Sequence, residues 1–205
     1  DQPRSRGLGD VYKRQLKNYK VLLASGSKRR HELLKGLEIN FKIITHNIKE
    51  SNPNKLKGSQ ITDFISKKKS LLLLNDLKKN ELLITSDTIV WFNDKAIEKP
   101  KNRQEAREML AKLSGEKHQV FTSICISLKN QQKIVNQETK VYFNILKKED
   151  INYYVKKYDV LDRAGSYGIQ DLIGYIGVKK IEGCYNNVLG FPTSLFCKTI
   201  EKMKL

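Results

Sequence analysis

Lys20-Val21-Leu22-Leu23-Ala24-Ser25-Gly26-Ser27-Lys28-Arg29-Arg30-His31-Glu32-Leu33-Leu34, residues 20–34, decides the fold class. Residues 21–24 form the short, unbroken apolar run of a buried strand. Ser25-Gly26-Ser27 breaks it, and residues 28–37 read as a helix with Leu33, Leu34 and Leu37 on one face. A buried strand that passes through a small-residue turn into a helix is a building block of α/β proteins. The helix opens on Lys28, Arg29, Arg30 and His31, and positive charge in a first turn opposes the macrodipole. An anion at that site would relieve the conflict, since free backbone N–H groups and two guanidiniums suit phosphate oxygens. The bland alternative is a Ser- and Gly-containing connection of the kind any α/β protein uses.

Outward from this unit, residues 41–45 read as a strand and 47–58 as a polar, Pro-containing loop. Residues 60–77 fit a helix that buries Ile61, Phe64, Ile65, Leu71, Leu72 and Leu74 and turns its lysines outward. Two strands follow, 82–85 and 88–92, interrupted by Ser86-Asp87, and Asn93-Asp94-Lys95 reads as a hairpin turn. Asn102 with Glu105 three residues on is an N-cap pattern. It opens a helix with Ala106, Met109, Leu110 and Leu113 on one face, ending near Gly115. Alternation over 118–128 and 134–146 predicts two long antiparallel strands. Residues 149–158 are expected to be helical, 174–181 a strand, and 193–203 a helix started by Pro192. The order predicts one mixed α/β domain, in two lobes around a cleft. Residues 1–15 show no periodicity and no apolar h-region, so 1–17 is expected to be an extraneous or disordered leader and 18–205 the domain.

The chain has 205 residues, with 39 Lys plus Arg against 22 Asp plus Glu and a formal charge of +17. This excess invites a nucleic-acid reading. It consists of 31 Lys and only 8 Arg, dispersed along the chain, whereas base and phosphate recognition favours the bidentate Arg. A nucleic-acid partner is therefore not expected. Nor is a membrane one, because no apolar run approaches the ~20 residues of a span. Three scattered cysteines exclude a disulfide scaffold and fit a reducing cytoplasm. His31, His46 and His118 have no ligand spacing, which argues against zinc.

Four stretches carry polar groups that a core would not select. Besides the Ser25 turn, Ser86-Asp87-Thr88 places a carboxylate between apolar strands, either a turn residue or a metal ligand or general base. Lys99, in Glu98-Lys99-Pro100, is surface lysine or a phosphate clamp. The glycine-punctuated segment from Asp162 to Gln170 is a connection, or a loop that presents the Gln170 amide to a base or sugar.

Together these stretches resemble the Maf family of nucleotide pyrophosphatases. Leu23 to Leu34 is similar to the family's opening signature. Ser86-Asp87-Thr88-Ile89-Val90, Glu98-Lys99-Pro100 and Leu113 to Val120 follow in the family's order, as do Asp162 to Gln170 and Gly183 to Pro192. The resemblance implies a mixed β-sheet flanked by helices, in two lobes around a nucleotide cleft, of the Maf and ITPase-like kind. It implies hydrolysis of a nucleoside triphosphate between the α- and β-phosphates, with a divalent metal cation (Mg²⁺ or Mn²⁺), a cytoplasmic house-cleaning role and a link to division arrest. Asp87 matches the family's proton acceptor or metal ligand. Ser25, Arg30, Glu50, Lys69 and Lys99 match its phosphate- or metal-binding positions. Arg29, Thr88 and Gln170 match the three positions that separate its branches, and this combination resembles the branch acting on dTTP and UTP. A homodimer is compatible with the resemblance alone. The alternative is a catalytically silent, basic nucleic-acid-binding protein on the same fold. Lys28 replaces a Pro of the pattern, Cys184 a Ser and Asp171 a Gly, and a side chain at 171 is expected to narrow the base pocket.

Overall fold

The sheet is organised by one long strand. In the computed structural model, which describes residues 8–45, 55–203 and 205, β3 (Glu81–Phe92) runs through the centre of a seven-stranded mixed sheet. The strand order is β2-β1-β3-β5-β6-β7, with β4 (Lys95–Ile97) on β3 alone. β1 (Lys20–Ala24) lies parallel to β2 (Phe41–Ile44) and to the first half of β3. β5 (Lys117–Leu128), β6 (Gln131–Phe143) and β7 (Val178–Glu182) complete the sheet in antiparallel sense. β1 ends opposite Thr85 and β4 ends opposite Val90, so along Ser86–Ile89 β3 has no strand neighbour on that side among the described residues. The expected break at Ser86-Asp87 is corrected here. The strand is continuous because β5 pairs through it, Ser86 with Ile124 and Asp87 with Ser123.

The two largest of four buried apolar clusters among the described residues lie along this sheet, the two smaller ones packing under α3. Tyr12, Leu23, Leu34, Ile84, Ile124, Phe196 and Ile200 close the first, between β1, β3 and β5 and the helices α1 (Leu8–Leu16), α2 (Lys28–Gly36) and α8 (Thr193–Met203). Val90, Leu110, Val141, Tyr154 and Ile173 close the second, beneath α4 (Arg103–Leu113), α5 (Lys148–Lys157) and α6 (Leu172–Gly177). These are the two expected lobes. Asn102 caps α4 by accepting the Glu105 N–H at 2.9 Å, and Asn93 and Asp94 take positive φ in the β3–β4 turn, both as expected.

Three further expectations are corrected. α3 (Ser59–Leu74) leaves Phe64, Leu71 and Leu72 exposed and turns Thr62, Ser66 and Ser70 onto the sheet. The sheet face beneath is itself polar: Thr62 meets Ser123 at 2.6 Å, Ser70 meets Ser127 at 2.6 Å, and Thr85 donates to the Ser66 carbonyl at 2.7 Å. Buried hydroxyls require partners, and they set the helix rotation against the apolar pattern. The expected strand over 174–181 is α6 followed by β7, an ambiguity inherent in short apolar runs. Residues 8–16, expected to lack structure, form α1. Tyr12 and Leu16 are buried, Tyr12 donates to the Leu37 carbonyl and Gln15 to that of Glu201. The short helix α7 (Tyr185–Leu189) had no expectation attached. Among the described residues no helix is long and apolar enough to cross a membrane.

Candidate active site

The gap beside β3 opens into a cleft of about 570 Å³. Its position follows from topology: β1 ends at Ala24, and the chain leaves the sheet beside the middle of β3, a switch point where α/β proteins bind ligands. Ser25, Gly26 and Ser27 line it, and α2 starts from them with no acidic residue in its first turn and no side-chain cap from Ser27. The N-terminus of α2 therefore faces the cleft with its backbone N–H groups.

Alternation along β3 sends adjacent polar residues to opposite faces. Asp87 faces α3, where Lys69 Nζ donates to Asp87 Oδ1 at 2.9 Å. The two side chains are only 9% and 12% exposed, a nearly buried ion pair on the cleft wall. Thr88 faces α2. Arg30 donates from Nη2 to Thr88 Oγ1 (2.9 Å), from Nη1 to Ser25 Oγ (3.3 Å) and from Nε to the Gly190 carbonyl (2.9 Å). Behind it the hydroxyl chain has a direction. Thr122 donates to the Asn187 carbonyl at 2.9 Å, so the Thr88 hydroxyl, 3.0 Å away, donates to Thr122. Asn187, fully buried, ties this relay to Val120 and Thr139.

The far end of the cleft is built by Glu98, Lys99 and residues between Asp162 and Gln170. Lys99 reaches Asp162 at 2.6 Å, both side chains exposed at the mouth. Arg29 lines the cleft near Arg163, and burial, then the neighbouring Arg163, lower its guanidinium pKa from the ordinary value. Gln170 lines the same wall, and its Oε1 is buried with no hydrogen-bond partner. Asp171 does not line the cleft, which corrects the expected narrowing of a base pocket. Its carboxylate turns to Arg163 and Tyr154 instead.

Ser25, Arg29, Arg30, Lys69, Asp87, Thr88, Lys99 and Gln170 thus share one cleft. Glu50 lies outside the described residues. Sequence reasoning missed Arg163, Thr122 and Asn187. Arg163 and Asn187 stand inside motifs already singled out, and a polar residue at a core position of a long strand was the available signal for Thr122.

Comparison with known proteins gives a consistent picture. The model of the Maf-like protein family matches residues 20–203. The dTTP/UTP pyrophosphatase of Christiangramia forsetii is 50% identical over 188 residues, covering 92% of this chain and 96% of that protein. Those of Flavobacterium psychrophilum and Bacteroides thetaiotaomicron are 45% and 42% identical, covering 89% and 92% of this chain and 94% and 98% of their own. Among solved structures, the Ham1 protein of Staphylococcus aureus superposes with a TM-score of 0.51 at 13% identity, over 90% of this chain and 99% of its own, a likeness of fold. Matched by the family model through both lobes and by relatives sharing up to half its residues, the chain belongs to the Maf family.

Proposed function

We propose that this protein hydrolyses dTTP and UTP to the monophosphate and pyrophosphate. The observation that carries the reading is the meeting of the Lys69–Asp87 pair, the Arg30 guanidinium and the open N-terminus of α2 around one cleft. The relatives named for this activity support it. A triphosphate brings several negative charges, which Arg30, Lys69 and Lys99 surround while the α2 N–H groups receive phosphate oxygens. Asp87 accepts the proton of the water that attacks the α–β anhydride, and pyrophosphate departs. Lys69 fixes the orientation of that carboxylate through Oδ1. Positioning and charge stabilisation account for most of the catalysis.

The donor chemistry suits a hard divalent cation, because Asp87 presents carboxylate oxygen to the cleft. Among the described residues no three His, Cys, Asp or Glu gather as a metal cluster. Asp87, with Glu50 as the second carboxylate, would hold the cation, which when bound neutralises charge on the phosphates. At the other end Gln170 Oε1 lacks a donor, and the imide N–H of uracil or thymine supplies one. Pyrophosphate release across the common nucleoside triphosphates, with Mg²⁺ or Mn²⁺, tests the proposal. Release is expected from dTTP and UTP first. No release from either refutes the activity, and faster release from purine triphosphates refutes the base assignment.

A further inference from the structure

The segment carrying Gln170 is held at every residue but that one. Tyr167 places its hydroxyl 2.7 Å from His118 Nε2 in a buried aromatic cluster with Phe143. Gly168 donates its N–H to the Tyr154 hydroxyl at 3.0 Å. Ile169 lies so close under α6 that a Cβ on Gly174 would sit 1.9 Å from its carbonyl oxygen. Asp171 closes the turn with its N–H on the Gly168 carbonyl at 3.0 Å. In the middle, the Gln170 side-chain Oε1 is buried and unmatched.

Asp171 is the informative residue. It stands at the N-cap of α6, where an Asp side chain ordinarily bonds the helix N–H groups, yet it makes no such bond. Its Oδ2 accepts instead from the Tyr154 hydroxyl at 3.0 Å and pairs with Arg163, whose Nη1 also donates to Tyr154 at 2.9 Å. Gly168 is pressed against this node: a Cβ there would meet Arg163 Nη1 at 2.3 Å and Asp171 Oδ2 at 2.6 Å. Tyr154 therefore grips the turn from both ends, by the Gly168 N–H and the Asp171 carboxylate, with Gln170 between them.

We infer that Asp171, through Tyr154 and Arg163, is a positioning residue that sets which pyrimidine base the Gln170 amide accepts; this rests on the proposed function. The chemistry is directional. Uracil and thymine offer an N–H at position 3 and a carbonyl at position 4, whereas cytosine offers a ring nitrogen and an amino group. An amide facing both positions must reverse its ends to serve cytosine. An amide carried on a fixed turn discriminates between the bases and one carried on a loosened turn does not.

The test is kcat/KM for UTP and for CTP, by pyrophosphate release with Mg²⁺, for the wild type, Asp171→Asn and Tyr154→Phe. Both variants keep side-chain volume. Each is expected to lower the UTP-to-CTP ratio of kcat/KM at least ~5-fold, the lower range for losing one oriented base contact, chiefly through a higher KM for UTP. The double variant should fall no further than the worse single one, because the node acts as a unit. Weakened packing alone slows both substrates together and leaves the ratio unchanged, and that result overturns the inference. Should Tyr154→Phe fail to fold, Asp171→Asn decides by the same ratio. A wild type inactive on UTP and dTTP overturns the proposed function and the inference with it, an outcome distinct from an active wild type whose variants keep its ratio.

Discussion

Asp87→Asn separates the chemical role of the central carboxylate from its structural one. The change is isosteric, so it opens no cavity. What it removes is the charge facing Lys69 Nζ at 2.9 Å, between side chains only 9% and 12% exposed. At that distance and an effective dielectric of about 20, the gross attraction is about 6 kcal/mol, most of it offset by desolvating both ions. Asparagine still accepts the lysine hydrogen bond. The expected loss of stability is therefore ~1–3 kcal/mol, below the 3–5 kcal/mol typical of deleting one partner of a buried pair. Turnover should fall much further, at least ~100-fold, since a general base supplies that much. Thermal denaturation beside a pyrophosphate-release assay reads both quantities. A variant that melts earlier but turns over within tenfold of the wild type refutes the reasoning, leaving Asp87 as the structural partner of Lys69 only.

The pH dependence of stability is tied to His118, whose pKa burial lowers from 6.5 to about 4. Unfolded chains then bind a proton that the folded chain refuses between those values, so stability is full above pH 6.5 and declines toward pH 4, by roughly 2 kcal/mol from pH 7 to 5. His118→Gln should flatten that slope in denaturant titrations at the two pH values, and an unchanged slope refutes the assignment. Gly174→Ala should cost ~1–3 kcal/mol or more, since its Cβ would overlap the Ile169 backbone, and a melting temperature equal to wild type would show that α6 shifts freely. Removing residues 1–17 should lower the melting temperature by undocking Tyr12 and Leu16 and leave kcat unchanged, because none of the described residues among them lines the cleft. Unchanged melting would show that α1 contributes nothing to the fold.

What could be read from the sequence was whatever local chemistry determines. The β1–turn–α2 unit, the Asn102 cap and the Asn93-Asp94 turn each depend on a few neighbouring residues, and each stands where the pattern put it. The α3 face was not legible, because Thr62, Ser66 and Ser70 turn inward only to meet Thr85, Ser123 and Ser127 on strands far along the chain. β3 was read as broken for a related reason. Ser86-Asp87 looks like punctuation until β5 is known to pair through it. The site was legible as a set of motifs and illegible as a geometry. Nothing local shows that Asp87 and Thr88 serve opposite faces of one strand, or that Asp171 turns away from the cleft to hold Arg163.

That geometry also changes the meaning of the positive charge. The cleft cations are not loose lysines awaiting a polyanion. Arg30 is fixed on Ser25, Thr88 and the Gly190 carbonyl, Lys69 on Asp87, Lys99 on Asp162, and Arg163 on Tyr154 and Asp171. A cation already oriented by the protein loses little entropy when a phosphate arrives, which is how preorganised sites stabilise charge that develops during reaction. Asp171 offsets Arg163 behind the Gln170 end, and Asp87 offsets Lys69 on the wall that α3 forms. The placement of these carboxylates, more than the total of +17, sets the local charge of the cleft.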